Sequence, residues 1–456
     1  MTTFDDELHG VLTESSKSIA TLLRSVAHHG RVKILSLLLR EDQNLSDLAR
    51  DTGLSKNALV NHLDLLMENR LVQRLRRGEY GLTIDGRNLI NAAAAIYRDS
   101  ALREEGRRRM QRLYTGGWRG KGLNEIVISR DVAYQPCWLS YTGAMAGALK
   151  SLGVDCDITD VGGYSGYAFI VNVIKGMFCP SGPTAFHLET WKEIHRGTQD
   201  LGWRIEHWFD EGSYPEEEGA PKPHEVERAR KLYERVKAEI EADRPVVLWG
   251  LHIPEYGIVK GIRGNSYVAS SFKSLIGQPE EPVLYYDLRA PGCLDAYFFR
   301  EQTSVDTEKA DRMAVERALR FAQGLMPVQE RYVHGPEAWT EWADILENHP
   351  EQKLYQGNSY NAACYQEARA MASELLKRMA KRQRGAQSGH LLEAAASYGE
   401  AERLLTRFTE IFPFKMEGEM SMEDRRRGAD ILRKVRTFDM EAIGHLKRGL
   451  EAWETA

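Results

Sequence analysis

Apolar residues recur at helical spacing from Ser15 onward. In SIATLLRSVAHHGRVKILSLLL, the residues Ile19, Leu22, Leu23, Val26, Val32, Ile34, Leu35 and Leu38 fall at i, i+3 and i+4 intervals. That spacing predicts helices with these side chains turned inward. The next stretch, NLSDLARDTGLSKNALVNHLDLLMENRLV, parses as a helix over Leu45–Thr52, a turn at Gly53-Leu54 and a second helix capped by Ser55. Leu48, Ala49 and Leu54 are placed to pack on Leu59, Leu63 and Leu66. A tight glycine turn between two such helices is helix-turn-helix spacing. LVQRLRRGEYGLT then predicts a β-hairpin with Arg76-Arg77-Gly78 at its tip and Tyr80 and Leu82 on the return strand.

The pattern changes after residue 124. A short strand leads into YQPCWLSYTGAMAGALKSLG, a helix of small residues, and then into the glycine-rich GGYSGYAF. Further on, LYERVKAEIEADRPVVLWG predicts a helix and a strand over Val246–Gly250. A strand over Tyr256–Ile262, a turn at Gly264-Asn265, another strand, and a further pair in EPVLYYDLRAPGCLDAYFF follow. From residue 303 the spacing is helical to the end, with alanine and leucine recurring as in a packed bundle. The last stretch, SMEDRRRGADILRKVRTFDMEAIGHLKRGLEAWE, reads as one kinked helix or two.

Composition narrows the class. Of 456 residues, 42% are hydrophobic and 28% charged, as in a soluble globular chain. The net charge of −5 is too small to indicate a partner, so any nucleic-acid surface is local. One local basic run exists: Arg103, Arg107, Arg108, Arg109, Arg112, Arg119 and Lys121 against Glu104 and Glu105. The cysteines at 137, 156, 179, 293 and 364 form no CxxC, which argues against a disulfide framework and a cysteine-rich zinc site. No apolar run approaches the ~18 residues of a membrane span, and the acidic first residues are not a signal peptide. A cytoplasmic chain with no membrane partner is expected.

Residues 1 to about 95 resemble, in order and spacing, the ArsR-type winged helix of bacterial repressors. The resemblance implies double-stranded operator DNA as partner, read by a dimer. The second helix of the motif would enter the major groove, presenting Ser55, Lys56, Asn57, Val60 and Asn61. Asn bonds adenine in a bidentate way and Lys reaches guanine or phosphate. Arg74, Arg76 and Arg77 on the wing would meet backbone or minor groove. His62 reads as a half-buried helix residue, and His28 and His29 as surface residues. The metal-sensing members carry cysteines in the first helix of the motif. Here Leu45-Ser46-Asp47-Leu48-Ala49 has none.

A second resemblance covers roughly 125 to 456. The order helix, RPVVLW, GIVKGI, turn, SYVASSF is similar to papain-like bacteriocin-processing peptidases. With GGYSGYAF and CPSGP it looks still more like the domain at the start of the butirosin-biosynthesis acyltransferases (BtrH-like), whose helical tail GPEAWTEWADIL and HLLEAAASYGEAERLL also resemble. Such enzymes open the small-residue helix with a cysteine and the second strand with a histidine, a thiolate–imidazolium pair. Counting back from Gly153 and Gly261 to those places reaches Ser140 and Glu255; Cys137 and His252 lie three residues earlier. Two alternatives stand. Either Ser140 and Glu255 form a binding pair in a retired enzyme, or Cys137 and His252 slide into register as an active acyltransferase or peptidase pair.

The expected whole is a multidomain α+β chain. It has a winged helix-turn-helix (1–100), a basic helical linker (101–124), a papain-like α+β domain (125–302) and a C-terminal helical bundle (303–456). The expected function is a one-component regulator in which a small-molecule effector enters the papain-like domain. Trp138, Ser140, Tyr141, Tyr164, Tyr167, Phe169, Trp249, Glu255 and Tyr256 are the candidate ligand contacts, since rings with a few polar anchors suit a small-molecule site. No catalytic residue, cofactor or metal ligand is expected.

Overall fold

The computed structural model describes His9 and residues 12–76, 78–98, 125–212, 214–215, 221–275, 277–327 and 329–454, with side chains described to residue 93 in the helix that ends at 98. The basic run at 101–124 and Arg77 lie outside these. Contacts divide the chain into two compact units, residues 1–118 and 119–456.

In the first unit, α1 (Ser16–Val26) and α2 (His29–Arg40) precede a short strand, β1 (Gln43–Asn44). Helix α3 (Leu45–Thr52) begins where Asn44 accepts from the backbone N–H of Ser46 and Asp47. It ends at Gly53, whose φ of 70° is the left-handed conformation that glycine adopts without strain. Helix α4 (Lys56–Glu68) starts at Ser55, whose hydroxyl accepts from Ala58 N–H. Strands β2 (Val72–Arg76) and β3 (Glu79–Leu82) form the hairpin, and β1 pairs with β3. Helix α5 (Ile84–Arg98) follows. Leu48, Leu59, Leu63 and Leu66 are fully buried together with Ile34, Leu35 and Leu38. Leu23 and Val32, expected to face inward, are exposed. The helices α1 and α2 each have one packing face in this unit, and those two residues lie off it: Ser25 on α1 and Ile34, Leu35 and Leu38 on α2 are the buried positions.

The second unit is built on an antiparallel sheet. Its elements in order are β4 (Glu125–Val127), α6 (Ser140–Ser151), α7 (Ile158–Tyr164), β5 (Asn172–Ile174), α8 (Leu188–Gln199), β6 (Trp203–Glu211) and α9 (Pro223–Glu241). Then come β7 (Val246–Trp249), β8 (Tyr256–Arg263), β9 (Ser266–Ser271), β10 (Val283–Leu284) and β11 (Cys293–Gln302). The sheet order is β10-β9-β8-β7-β11-β6, with β4 also pairing β8. Helix α6, rich in Gly and Ala, packs flush on it. A Cβ on Gly147 would lie 2.1 Å from the carbonyl oxygen of Ala133, so only glycine fits there.

Five helices complete the unit: α10 (Thr307–Ala322), α11 (Pro336–Asn348), α12 (Tyr355–Arg382), α13 (Ala386–Ile411) and α14 (Met422–Glu454). A short strand, β12 (Tyr332–His334), pairs with β5. The terminal stretch is one continuous helix, α14. The sheet shares one core with α10 and with parts of α12, α13 and α14, in which Tyr141, Ile258 and Phe298 lie with Ala314, Met371 and Leu446; α11 packs with other residues of α12, α13 and α14 in a second core around Trp339, Trp342 and Phe408.

Arg369 on α12 anchors the packing. It is 1% exposed, and its Nη2 and Nε donate to Asp439 of α14 at 2.6 and 2.9 Å. Its Nη1 donates to the carbonyl of Ala168 at 3.0 Å. Asp439 also accepts from Trp339 Nε1 of α11 at 2.7 Å. Removing one partner of such a pair leaves a buried charge uncompensated. Arg369→Met should therefore lower the unfolding free energy by roughly 3–5 kcal/mol. Arg369→Met with Asp439→Leu should cost less than Arg369→Met alone, as read from guanidinium unfolding curves.

Candidate functional site

Two sites can be built from residues upward. The first lies on the winged helix. Lys56, Asn57 and Asn61 are exposed along one side of α4, and Val60 is half-buried beside them. Ser55 is exposed and spends its hydroxyl on capping the helix. Arg74 and Arg76 are exposed on β2; the Arg74 guanidinium lies 6.0 Å from the Tyr80 ring, and Arg76 Nε is 3.4 Å from a Glu79 carboxylate oxygen. A bulge between Arg74 and Arg76 re-aims the end of the strand. His62 is half-buried and its ring lies 4.5 Å from that of His28, which caps α2. The exposed side of α4 therefore offers amides and an ammonium, and the wing offers guanidinium groups. That set can donate to phosphates and to base edges.

The second site lies at the start of α6. Ser140 is the first residue of that helix and Glu255 immediately precedes β8. Ser140 Oγ donates to Glu255 Oε2 at 2.5 Å and accepts from Tyr256 N–H at 3.0 Å. The other carboxylate oxygen, Oε1, accepts from the Tyr360 hydroxyl at 2.6 Å. Burial pushes the Glu255 carboxyl up to about 7, against the opposing pull of the two hydroxyl donors.

Cys137 and His252 lie elsewhere in the same neighbourhood and do not pair. Cys137 is fully buried and its Sγ donates to Glu367 Oε2 at 3.0 Å. Burial, with the Glu367 carboxylate beside it, holds the thiol well above its ordinary range. His252 has a φ of 67°, and its ring bonds the Ser271 hydroxyl at 3.3 Å and the Glu281 carbonyl at 2.5 Å. Among the described residues, no hydrogen bond joins Cys137 to His252.

Most of the candidate rings lie in the core. Tyr141, Tyr167, Phe169 and Tyr256 are 3% exposed or less. Tyr141 meets Tyr167, Tyr256 and Tyr297 edge-on with centroids 5.4–6.3 Å apart. Tyr164 donates to Asp311 at 2.5 Å, and Trp249 Nε1 donates to the Pro291 carbonyl at 3.3 Å. Trp138 is the half-buried one. It packs edge-on against Phe272, Tyr360 and Phe414 beside Ser140. The structure thus brings Ser140, Glu255 and Trp138 together and sets Tyr164, Phe169 and Trp249 into packing contacts.

Three residues of this site were not anticipated: Tyr360, Cys364 and Glu367, all on α12. Glu367 accepts from Trp138 N–H at 2.6 Å as well as from Cys137, and Cys364 Sγ donates to the Trp138 carbonyl at 3.7 Å. Burial raises the Glu367 carboxyl above its usual range. The three fall at i, i+4 and i+7, one side of a helix. That spacing of polar side chains among alanines was the signal available.

Residues 28–74 match the family model described as bacterial regulatory protein, arsR family. No curated protein matches the chain. Among the described residues, no helix is long and apolar enough to cross a membrane. The match spans the helix-turn-helix and reaches into the wing, where the exposed amides and guanidinium groups lie; the chain thus carries an ArsR-family helix-turn-helix domain, which marks it as a DNA-binding transcriptional regulator.

Proposed function

We propose that this chain is a cytoplasmic, one-component regulator that binds operator DNA as a homodimer, and that its second unit is a ligand-responsive body descended from a papain-like enzyme. The observation that carries the second half is the Ser140–Glu255 contact at 2.5 Å. A serine opens the helix and a carboxylate precedes the strand, where the resembled enzymes hold a cysteine and an imidazole. The pair is hydrogen-bonded on every side and lacks a thiolate. We read it as a retained polar anchor for a small-molecule effector, with Trp138 and Tyr360 as the rings beside it. An active thiol enzyme is disfavoured by the neutral, buried Cys137 and by the separate partners of His252.

In the DNA-binding half, Asn57 and Asn61 read base edges, and Lys56, Arg74 and Arg76 hold phosphates. Asn57→Ala or Asn61→Ala should each cost about 1–3 kcal/mol of discrimination between operator and random duplex. Arg74→Ala should weaken both duplexes alike and reduce the slope of log K against log salt by about 1. Fluorescence anisotropy across a salt series separates the two effects. Unchanged operator preference in the Asn57→Ala, Asn61→Ala double variant would sink the readout model.

In the body, a thiol probe at pH 7 followed by peptide mapping should leave Cys137 unlabelled in the native protein. Labelling of Cys137 ahead of the other cysteines, slowed by His252→Ala, would instead point to a working thiol enzyme.

Glu255 gives a pH test with a definite sign. Its ordinary value is 4.5 and its folded value about 7, so the folded state holds the proton more tightly. Its contribution is fully present below the unfolded value and is lost as pH rises through the folded one. The difference corresponds to roughly 3 kcal/mol between about pH 4 and pH 8. Unfolding curves of Glu255→Gln should lack that component, while the wild-type chain should lose stability across the interval.

A further inference from the structure

The last two helices bring together a donor set that belongs to neither site described above. His390 and Glu393 lie three residues apart on α13, and therefore on one side of it. His445 reaches them from α14. His390 Nδ1 is 3.3 Å from Glu393 Oε2, and His445 Nδ1 is 2.7 Å from the same oxygen. One donor atom from each of the three residues falls within 4.8 Å of the others. Both imidazoles are less than one-third exposed, while the Glu393 side chain is 55% exposed.

The protons do not resolve this arrangement cleanly. His445 Nδ1 has the Glu393 carboxylate on one side and an Arg448 guanidinium nitrogen at 2.8 Å on the other. A neutral Nδ1 accepts from Arg448, and then its lone pair faces a carboxylate oxygen at hydrogen-bond distance. A protonated Nδ1 donates to Glu393, and then it faces a guanidinium. A cation seated between the nitrogen and the oxygen satisfies both lone pairs. Arg448 is exposed and free to swing toward water.

We propose that His390, Glu393 and His445 bind a divalent transition-metal ion of the zinc type. Two imidazoles and one carboxylate suit zinc and its neighbours, and leave a fourth position for water or an added ligand. Tetrahedral ligand bonds of about 2.0–2.2 Å set donor atoms roughly 3.4 Å apart; His390 Nδ1 and Glu393 Oε2 already stand at 3.3 Å, while His445 Nδ1 must draw back from its 2.7 Å contact with the same oxygen, a small side-chain rotation. His445 and Arg448 also line a surface groove of about 440 Å³ with Met440 and Gly444, so the fourth position is reachable from solvent. The site rests on α13 and α14 alone and is independent of the reading of Ser140 and Glu255.

The test uses the full chain, stripped with chelator and titrated with Zn²⁺ by calorimetry, and separately with Co²⁺ followed by visible absorption. One equivalent of metal should bind, and Co²⁺ should give the intense d–d bands of a four-coordinate site. His390→Ala and His445→Ala should each weaken binding by about 100-fold or more, at least the top of the roughly 10–100-fold range seen when only an outer partner of a ligand is lost. Glu393→Gln, which keeps the shape of the side chain, should weaken it as well, and Arg448→Ala should preserve or tighten it. Circular dichroism melts of each variant check folding. No stoichiometric binding by the wild-type chain, or binding that survives in the His390→Ala, His445→Ala double variant, would overturn the proposal.

Discussion

The ion pair between Arg369 and Asp439 sets the constraint on which the second unit depends. A guanidinium and a carboxylate can leave water together only if their donors and acceptors are all met. Here two bonds join them, the remaining Arg369 nitrogen takes the Ala168 carbonyl, and Trp339 completes the carboxylate. Four segments are thereby fixed at one point: α11, α12, α14 and the turn after α7. The Arg369 guanidinium also lies 5.4 Å from the Trp339 ring and 5.5 Å from the Tyr398 ring, so its faces are occupied as well as its edges. No neutral side chain of that volume could meet all of these groups at once.

The same pair governs the site at α6 through the helix that carries it. Tyr360 and Arg369 are separated by about 2.5 helical turns and so point to opposite sides of α12. One side meets Asp439 and Trp339. The other carries Tyr360, Cys364 and Glu367 to Trp138, Ser140 and Glu255. A helix buried on two sides separates two cores, and this one does: Tyr360, Cys364 and Met371 belong to the core of the sheet, Ala362 and Tyr365 to the core of the bundle. Close approach on the sheet side is permitted by Gly163 of α7, where a Cβ would lie 2.1 Å from Leu375. The rotation of α12 set on one side thus fixes the donors presented on the other.

How much of this was legible in the sequence follows from how local each feature is. The bounds of α3 were readable because Asn44 and Gly53 cap it from within the same stretch, and the start of α4 because Ser55 does. Apolar spacing marked α1 and α2 as helices, yet it could not say which of their apolar residues would be covered; Leu23 and Val32 stay exposed. The aromatic residues raised the same difficulty in reverse. Tyr141 and Phe169 carry no local mark that separates a ring packed on other rings from a ring facing a ligand. Ser140 and Glu255 could be named from a count against a known pattern, and they meet. Their third partner, Tyr360, lies 105 residues beyond Glu255, and nothing near either residue specifies it.

On the proposed reading, a hydroxyl and a carboxyl stand where a thiol enzyme would hold its reactive pair, and the chemistry open to the two pairs differs. A thiolate beside an imidazolium stores separated charge, and that charge is the reactive state. A carboxyl that burial raises to about 7 stores no such charge pair: burial favours its neutral form, and the Ser140 and Tyr360 hydroxyls that donate to its two oxygens favour the ionised one. Charging Glu255 places an anion at the edge of a core that also holds Glu367, whose carboxyl burial keeps raised in the same way. A cationic or hydrogen-bonding ligand relieves that cost, and a neutral apolar one does not. A ligand that binds the ionised form draws the pair away from its resting protonation state. By linkage, any state of the chain that favours the ionised pair then favours that ligand by the same factor. On the proposed reading, an anchor of this kind converts ligand charge into a conformational preference without any covalent step.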